Sequence, residues 1–342
     1  MLIIGIKSTK LDAQERAWLQ SPVVSGVILF SRNFVSREQV SDLTSQLRSS
    51  RAEPLLICVD QEGGVVQRFR DGFTRLPALA RLGECYAKDA QLALALAEEH
   101  AWVMAAEMRS IDIDMSFAPV LDLNRGNRII GDRALDNDPA IVSALGLAYL
   151  RGMRLAGMAT TIKHFPGHGS VLEDTHVESA TDPRSLDELR NNDLIPFADA
   201  IDAGADAVMM GHVAYPAVDS RPAGYSPVWI QQILRAELGF RGVVFSDDIS
   251  MAAATSVGGI GARIDAHRNA GCDLMLVCQP QIVEEALATQ SDAIAFDPAR
   301  VASLCGKVAP TWQQIVDNPQ RDRFITRIRA LDTNLNNLEQ SV

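Results

Sequence analysis

The chain holds 32 lysines and arginines among its 342 residues but never gathers them into a basic run, and its 43 acidic residues leave a formal charge of −11. A protein that tracks a phosphate backbone needs clustered positive charge, so nucleic acid is not an expected partner. Long hydrophobic runs are missing as well. The opening stretch MLIIGIKSTKLDAQERAWLQ has only a short apolar patch before charges arrive. That patch is shorter than a signal h-region and far shorter than the roughly 20 residues of a membrane span, so a cytoplasmic location and no membrane partner are expected. Cysteines are few and odd in number. Cys58, Cys85, Cys272, Cys278 and Cys305 are scattered and mostly embedded in apolar runs, which suits reduced core thiols better than a disulfide framework. No G-x-G-x-x-G follows the first apolar run, and no low-complexity linker divides the chain.

What is present is the composition of a soluble globular protein with a well-filled core: 47% hydrophobic and 22% charged residues. Eight short apolar runs read as strands: 2–6, 26–30, 55–59, 113–120, 159–163, 206–210, 242–246 and 273–277. Between them, REQVSDLTSQLRSS, AQLALALAEEHAWVMAAEMRS, PAIVSALGLAYLRGMRLAG, SLDELRNNDLIPFADAIDAG and SPVWIQQILRAELG carry apolar residues at helical spacing. Near-continuous apolar strands are strands buried on both faces, and their alternation with helices predicts an α/β fold, a single-domain (β/α)8 TIM-type barrel over residues 1–342. An open doubly wound sheet is the competing architecture. After about residue 310 the pattern becomes a polar helical tail, DRFITRIRALDTNLNNLEQ, expected to pack on the outside of the barrel.

Active sites of this fold lie at the C-terminal ends of the strands and in the loops that follow. Those places here carry DQEGG (60–64) with QRFR behind it, DLNRGNRIIGDR (122–133), KHFPGHG (163–169) followed by EDTH (173–176), GHV (211–213) and DDISM (247–251). The unusual polar residues gather at one end and are read jointly as one pocket. Taken singly, each has a plainer role. Asp60 suits a helix or turn cap, and Arg68 and Arg133 suit surface ion pairs. His168 and His212 suit local hydrogen bonding as well as ligand contact, while Pro166, Gly167 and Gly169 bend the loop. Lys163 and His164 prolong a buried strand; a buried lysine is costly unless it faces a polar group, which points to a ligand.

Two pairs carry chemistry. Asp174, two residues before His176, can orient the imidazole and support its protonated form; with an unperturbed pKa of about 6.5, such a histidine donates and recovers a proton within one cycle. Asp247 and Asp248 follow a strand whose alternation sends one side chain toward the pocket and the other away, leaving one as nucleophile.

In this order and spacing, DQEGG, GDR, KHFPGHG, the Asp-Thr-His of EDTH and FSDDISM resemble the bacterial β-N-acetylhexosaminidases of glycoside hydrolase family 3 over nearly the whole chain. The short single-barrel form is most similar to the cytoplasmic branch that serves peptidoglycan recycling, and so cell-wall biogenesis, cell shape and cell division. That branch removes terminal N-acetylglucosamine from 1,6-anhydro-N-acetylmuramyl muropeptides. The resemblance implies Asp248 as nucleophile, His176 as acid–base oriented by Asp174, and Asp60, Arg68, Arg133, Lys163 and His164 as sugar contacts. It implies no cofactor and no metal, a sugar as partner, and a monomer. One departure is visible, since the family often reads DQEGGRVQR and this chain has Val65 where that arginine stands; the change bears on the loop's ion pairing, while Arg68 remains.

The implied chemistry is retaining, with a covalent glycosyl-enzyme released by water. Because the proton comes from a histidine, the usual carboxyl-separation rule does not apply, and phosphate is expected to compete with water at an imidazole that is uncharged after the first step. Gly167 and Gly169 are read as hinges for closure of segment 169–179. Two other classes fit the residues. A metal-dependent amidohydrolase barrel would use His164, His168, His176 and His212, although GIKSTK holds no H-x-H after the first strand. A sugar-binding barrel without chemistry would not need Asp174, His176 and Asp248.

Overall fold

A computed structural model of the chain describes residues 1–173, 179–290, 298–307 and 309–332. Eight parallel strands form one sheet: β1 (Leu2–Gly5), β2 (Val24–Leu29), β3 (Leu56–Val59), β4 (Met115–Ser116), β5 (Thr161–Phe165), β6 (Ala207–Met210), β7 (Val243–Asp248) and β8 (Leu274–Val277). Read across the sheet, the order runs β4, β3, β2, β1, β8, β7, β6, β5. The two ends meet through the parallel bridge between Val120 and Lys163, supported by the Leu121 amide donating to Lys163 O at 2.8 Å. The circle is thereby closed, and the chain has the expected (β/α)8 barrel.

The strand residues are buried on both faces, as a helix-covered parallel sheet requires. Phe117 and Phe245 meet edge to face at 5.2 Å. Outer helices start on the capping residues that the sequence supplies. Ser36 accepts from the Gln39 amide, and helix Arg37–Ser49 buries Val40, Leu43, Thr44 and Leu47 as one stripe. Asp89 and Asp138 open helices Ala90–Arg109 and Pro139–Leu155 in the same way.

Two expectations need revision. The segment 113–120 pairs regularly only at Met115–Ser116, because Pro119 has no N–H to give the ladder. The stretch read as one helix over 185–204 is two, Leu186–Arg190 and Leu194–Asp202. Between them the Asn192 backbone amide donates to Leu189 O, and its side-chain amide turns back onto Glu188 O, the carbonyl that a continuing helix would use. SPVWIQQILRAELG forms a wide, π-type helix, Val228–Glu237.

Helix Pro319–Arg329 buries Ile325 and Ile328. Its Phe324 ring stands edge-on to Trp102 at 5.5 Å, and Arg321 pairs with buried Glu107 at 2.7 Å. Among the described residues, no helix is long and apolar enough to cross a membrane.

At the N-terminal end of the barrel, Asp114 is 2% exposed and accepts from the Ile57 amide at 2.8 Å and the Gly306 amide at 3.0 Å. It also pairs with Arg48 at 2.7 Å and with fully buried Arg109 at 3.4 Å. Removing one partner of a buried pair strands the other charge, at a cost of about 3–5 kcal/mol. Asp114→Ala is therefore expected to lose about that much in urea denaturation with an unchanged m-value; a loss within the range of an exposed ion pair, about 1 kcal/mol or less, would contradict this role.

Candidate active site

The C-terminal rim of the barrel is organised by charge. Just past β3, Gln61–Gly63 and Val66–Gln67 pair as an antiparallel hairpin. Gly63 and Gly64 turn it, with φ of 110° and 56°, values that glycine adopts without a Cβ penalty. The turn holds Glu62 inside, 1% exposed. From β5, Lys163 places its Nζ 3.0 Å from Asp60 Oδ1 and 2.6 Å from Glu62 Oε1. Arg133 grips both oxygens of Glu62 with its Nε and Nη2 at 2.8 and 2.9 Å, and Arg68 reaches Asp60 at 3.3 Å.

Three cations thus share two carboxylates, Glu62 buried and Asp60 partly buried. Burial is the largest single influence on each acid and pushes both upward, but Lys163 and Arg68 hold Asp60 far below the usual carboxylate range, and Arg133 and Lys163 hold Glu62 below it. Both acids are ionised at neutral pH.

Asp60, Arg68, Arg133, Lys163, His164 and Asp248 all line one cavity of about 500 Å³. Asp174 and His176 lie outside the described residues. The adjacent pair on β7 departs from simple alternation: its register against β8 shifts between Phe245 and Asp248, and Asp247 and Asp248 both border the cavity. The expectation that one of them points away is corrected accordingly. Asp248 is tightly held, its carboxylate accepting from the Ser250 amide at 3.0 Å, the Ser250 hydroxyl at 2.5 Å and the Cys278 amide at 3.3 Å. Its own amide donates to Asp247 Oδ1 at 2.8 Å. Burial raises the Asp248 carboxyl above its ordinary value, with the charge of Asp247 adding to the effect.

The other histidines take the plainer role. His168 is buried beside the Asn127 side-chain amide, with its ring pushed down to about 4 by burial, and His212 is buried with Nε2 donating to Asp248 O at 3.1 Å. Neither borders the cavity. Gly169 is glycine for want of space, since a Cβ there would overlap Leu123 O. Sequence reasoning quoted Glu62 within DQEGG without giving it a role. The signal was available, because a lysine expected to be buried needs more counter-charge than one aspartate that is also to bind sugar.

The model of the glycosyl hydrolase family 3 N-terminal domain matches residues 2–308. A β-hexosaminidase of Stenotrophomonas maltophilia (strain R551-3) is 60% identical over 317 residues, 92% of this chain and 94% of that one. The chain is a β-N-acetylhexosaminidase of glycoside hydrolase family 3. A β-hexosaminidase of Xanthomonas axonopodis pv. citri is 55% identical over the same shares of both chains. Among solved structures, this family 3 chain is similar to NagZ from Neisseria gonorrhoeae in complex with N-trifluoroacetyl-D-glucosamine, with a TM-score of 0.90 and 39% identity over 97% of this chain and 98% of that one. Membership in the family displaces both the metal-dependent amidohydrolase and the sugar-binding barrel without chemistry.

The lowered Asp60 and Glu62 make stability depend on acid. Unfolded carboxylates titrate near about 4, so both groups contribute stability above that pH and lose it as pH falls toward their lower folded values. Between pH 6 and pH 3 the unfolding free energy of the wild type is expected to fall more than that of Glu62→Gln. Equal falls in the two proteins would contradict the ion-pair account.

Proposed function

We propose that the enzyme is a retaining exo-β-N-acetylglucosaminidase that removes terminal N-acetylglucosamine from 1,6-anhydro-N-acetylmuramyl muropeptides in cytoplasmic peptidoglycan recycling, with residues 1–342 acting as one catalytic unit and a monomer. The observation that carries this reading is the single cavity at the strand ends, in which the Asp60, Arg68, Arg133, Lys163 and His164 side chains converge with the Asp247–Asp248 pair. The N. gonorrhoeae neighbour holds an N-acylated glucosamine, and the cavity is assigned the same class of ligand.

Sugar hydroxyls are good partners for ionised groups, since hydrogen bonds to charged groups are about twice as strong as neutral ones. Asp60 accepts from hydroxyls; Arg68, Arg133 and Lys163 donate to them. A carboxylate of the β7 pair attacks the anomeric carbon, and the leaving oxygen takes a proton from His176, which Asp174 orients. Water, activated by the same histidine, then attacks the glycosyl-enzyme and releases the sugar with net retention.

The resemblance assigns the attack to Asp248, whereas the hydrogen bonds that hold the Asp248 carboxylate speak for its neighbour Asp247. Asp248 already accepts three hydrogen bonds, two from its own turn and one from the residue that follows β8, and its ionised form is disfavoured by burial. A nucleophile needs an ionised oxygen with a lone pair facing the anomeric carbon. In the favoured assignment Asp247 attacks, and Asp248 holds the turn.

Hydrolysis of p-nitrophenyl N-acetyl-β-glucosaminide tests the reading. Wild-type turnover is expected to survive EDTA. Asp247→Asn is expected to lose at least about 10³-fold in kcat, and Asp248→Asn markedly less, as for a residue that positions the nucleophile. The reverse order would return the attack to Asp248, and activity abolished by the chelator would overturn the metal-free mechanism.

A further inference from the structure

His164 borders the sugar cavity, but its ring is set from behind by a residue outside that cavity. Asp122, in the segment after β4, is completely buried. One of its oxygens, Oδ1, accepts from the His168 amide at 2.7 Å and lies 3.2 Å from the His164 amide. The other, Oδ2, sits 2.6 Å from His164 Nδ1 and 3.2 Å from the same His164 amide. Among the described residues, the hydrogen-bond partners of this carboxylate come from the KHFPGHG segment. Its carboxyl is held below the ordinary range: burial, the largest influence, pushes upward and is outweighed by His164 and by the hydrogen bond from the His168 amide.

An ionised carboxylate only accepts hydrogen bonds, so the His164 Nδ1 facing it must carry a proton. With Nδ1 taken up by Asp122 on a residue that borders the cavity, Nε2 is the ring nitrogen left to face a ligand.

We propose that Asp122 is a positioning residue: by holding the Nδ1 proton of His164 and the two loop amides together, it fixes the tautomer and angle of the imidazole, so that Nε2 is the atom offered to the sugar. In the neutral ring that nitrogen is an acceptor, and it selects a ligand that presents a hydroxyl or amide proton there. The proposal rests on the assignment of the cavity to N-acetylglucosamine, but the state of the ring is measurable without any sugar.

Asp122→Asn separates positioning from simple support. Its Oδ1 can retain the two loop amides, but its side-chain NH2 then faces His164 Nδ1, and that nitrogen must become the acceptor. The proton moves to Nε2, and the cavity-facing atom changes from acceptor to donor. Side-chain 15N NMR of the sugar-free protein, with His164 assigned by a His164→Gln variant, is expected to show the Nδ1–H form in wild type and the Nε2–H form in Asp122→Asn. Calorimetric affinity for N-acetylglucosamine is expected to fall by about tenfold or more, the scale of one mismatched buried hydrogen bond. In a double-mutant cycle, Asp122→Asn is expected to add little in a His164→Gln background, because it acts through that ring.

An unchanged tautomer in Asp122→Asn, or an affinity loss of equal size in both backgrounds, would overturn the proposal. If Asp122→Asn proves too unstable to study, a wild-type spectrum with the proton on Nε2 would overturn it alone. Failure of wild type to bind N-acetylglucosamine while the tautomer assignments hold would count against the proposed sugar and leave the positioning role standing.

Discussion

A lysine buried at the end of a barrel strand is the constraint around which the site is built. Lys163 is 2% exposed and carries its charge between Asp60 and Glu62. Each of those acids in turn needs Arg68 or Arg133 to remain ionised where burial disfavours charge. The hairpin after β3, the loop after β4 and β5 itself are locked into one arrangement by this chain of pairs. Displacing any member removes a pairing from at least one neighbouring charge. Rigidity of this kind suits a pocket whose ligand is a neutral, hydroxyl-rich ring, since the donors and acceptors are already oriented when the sugar arrives.

Much of this was legible in the chain. The eight apolar runs marked the strands because a parallel sheet buried on both faces leaves no room for polar alternation. The polar residues marked the pocket because the loops at one end of a barrel are the part released from packing. Hidden were the features set by partners distant in sequence. Glu62 and Asp122 stand within rim motifs, but only closure of the barrel brings Glu62 against Lys163 and Asp122 against His164 and so gives each its role. The Asp247–Asp248 pair misled for a related reason. Alternation holds while a strand keeps its register, and β7 loses register with β8 just before its two aspartates. Pro119 shortened β4 by an equally local effect, a missing N–H within an apolar run.

Two levels of organisation lie behind the cavity. Of the groups that line it, Asp60, Arg68, Arg133 and Lys163 are charged and held by ion pairs. Behind them, neutral or fully paired groups set the orientation: Ser250 and the Cys278 amide hold Asp248, His212 holds its carbonyl, and Asp122 faces the ring of His164. The proposed retaining mechanism depends on such placement, because the nucleophile must meet the anomeric carbon in line within a narrow tolerance of distance and angle.

The most direct test of the account is to trap the glycosyl-enzyme with an activated 5-fluoro derivative of N-acetylglucosamine and to map the labelled peptide by mass spectrometry. The account expects one covalent sugar per chain, on the peptide containing Asp247 and Asp248, with fragmentation placing it on Asp247. Turnover with no adduct, or an adduct on Asp60 or Glu62, would contradict it.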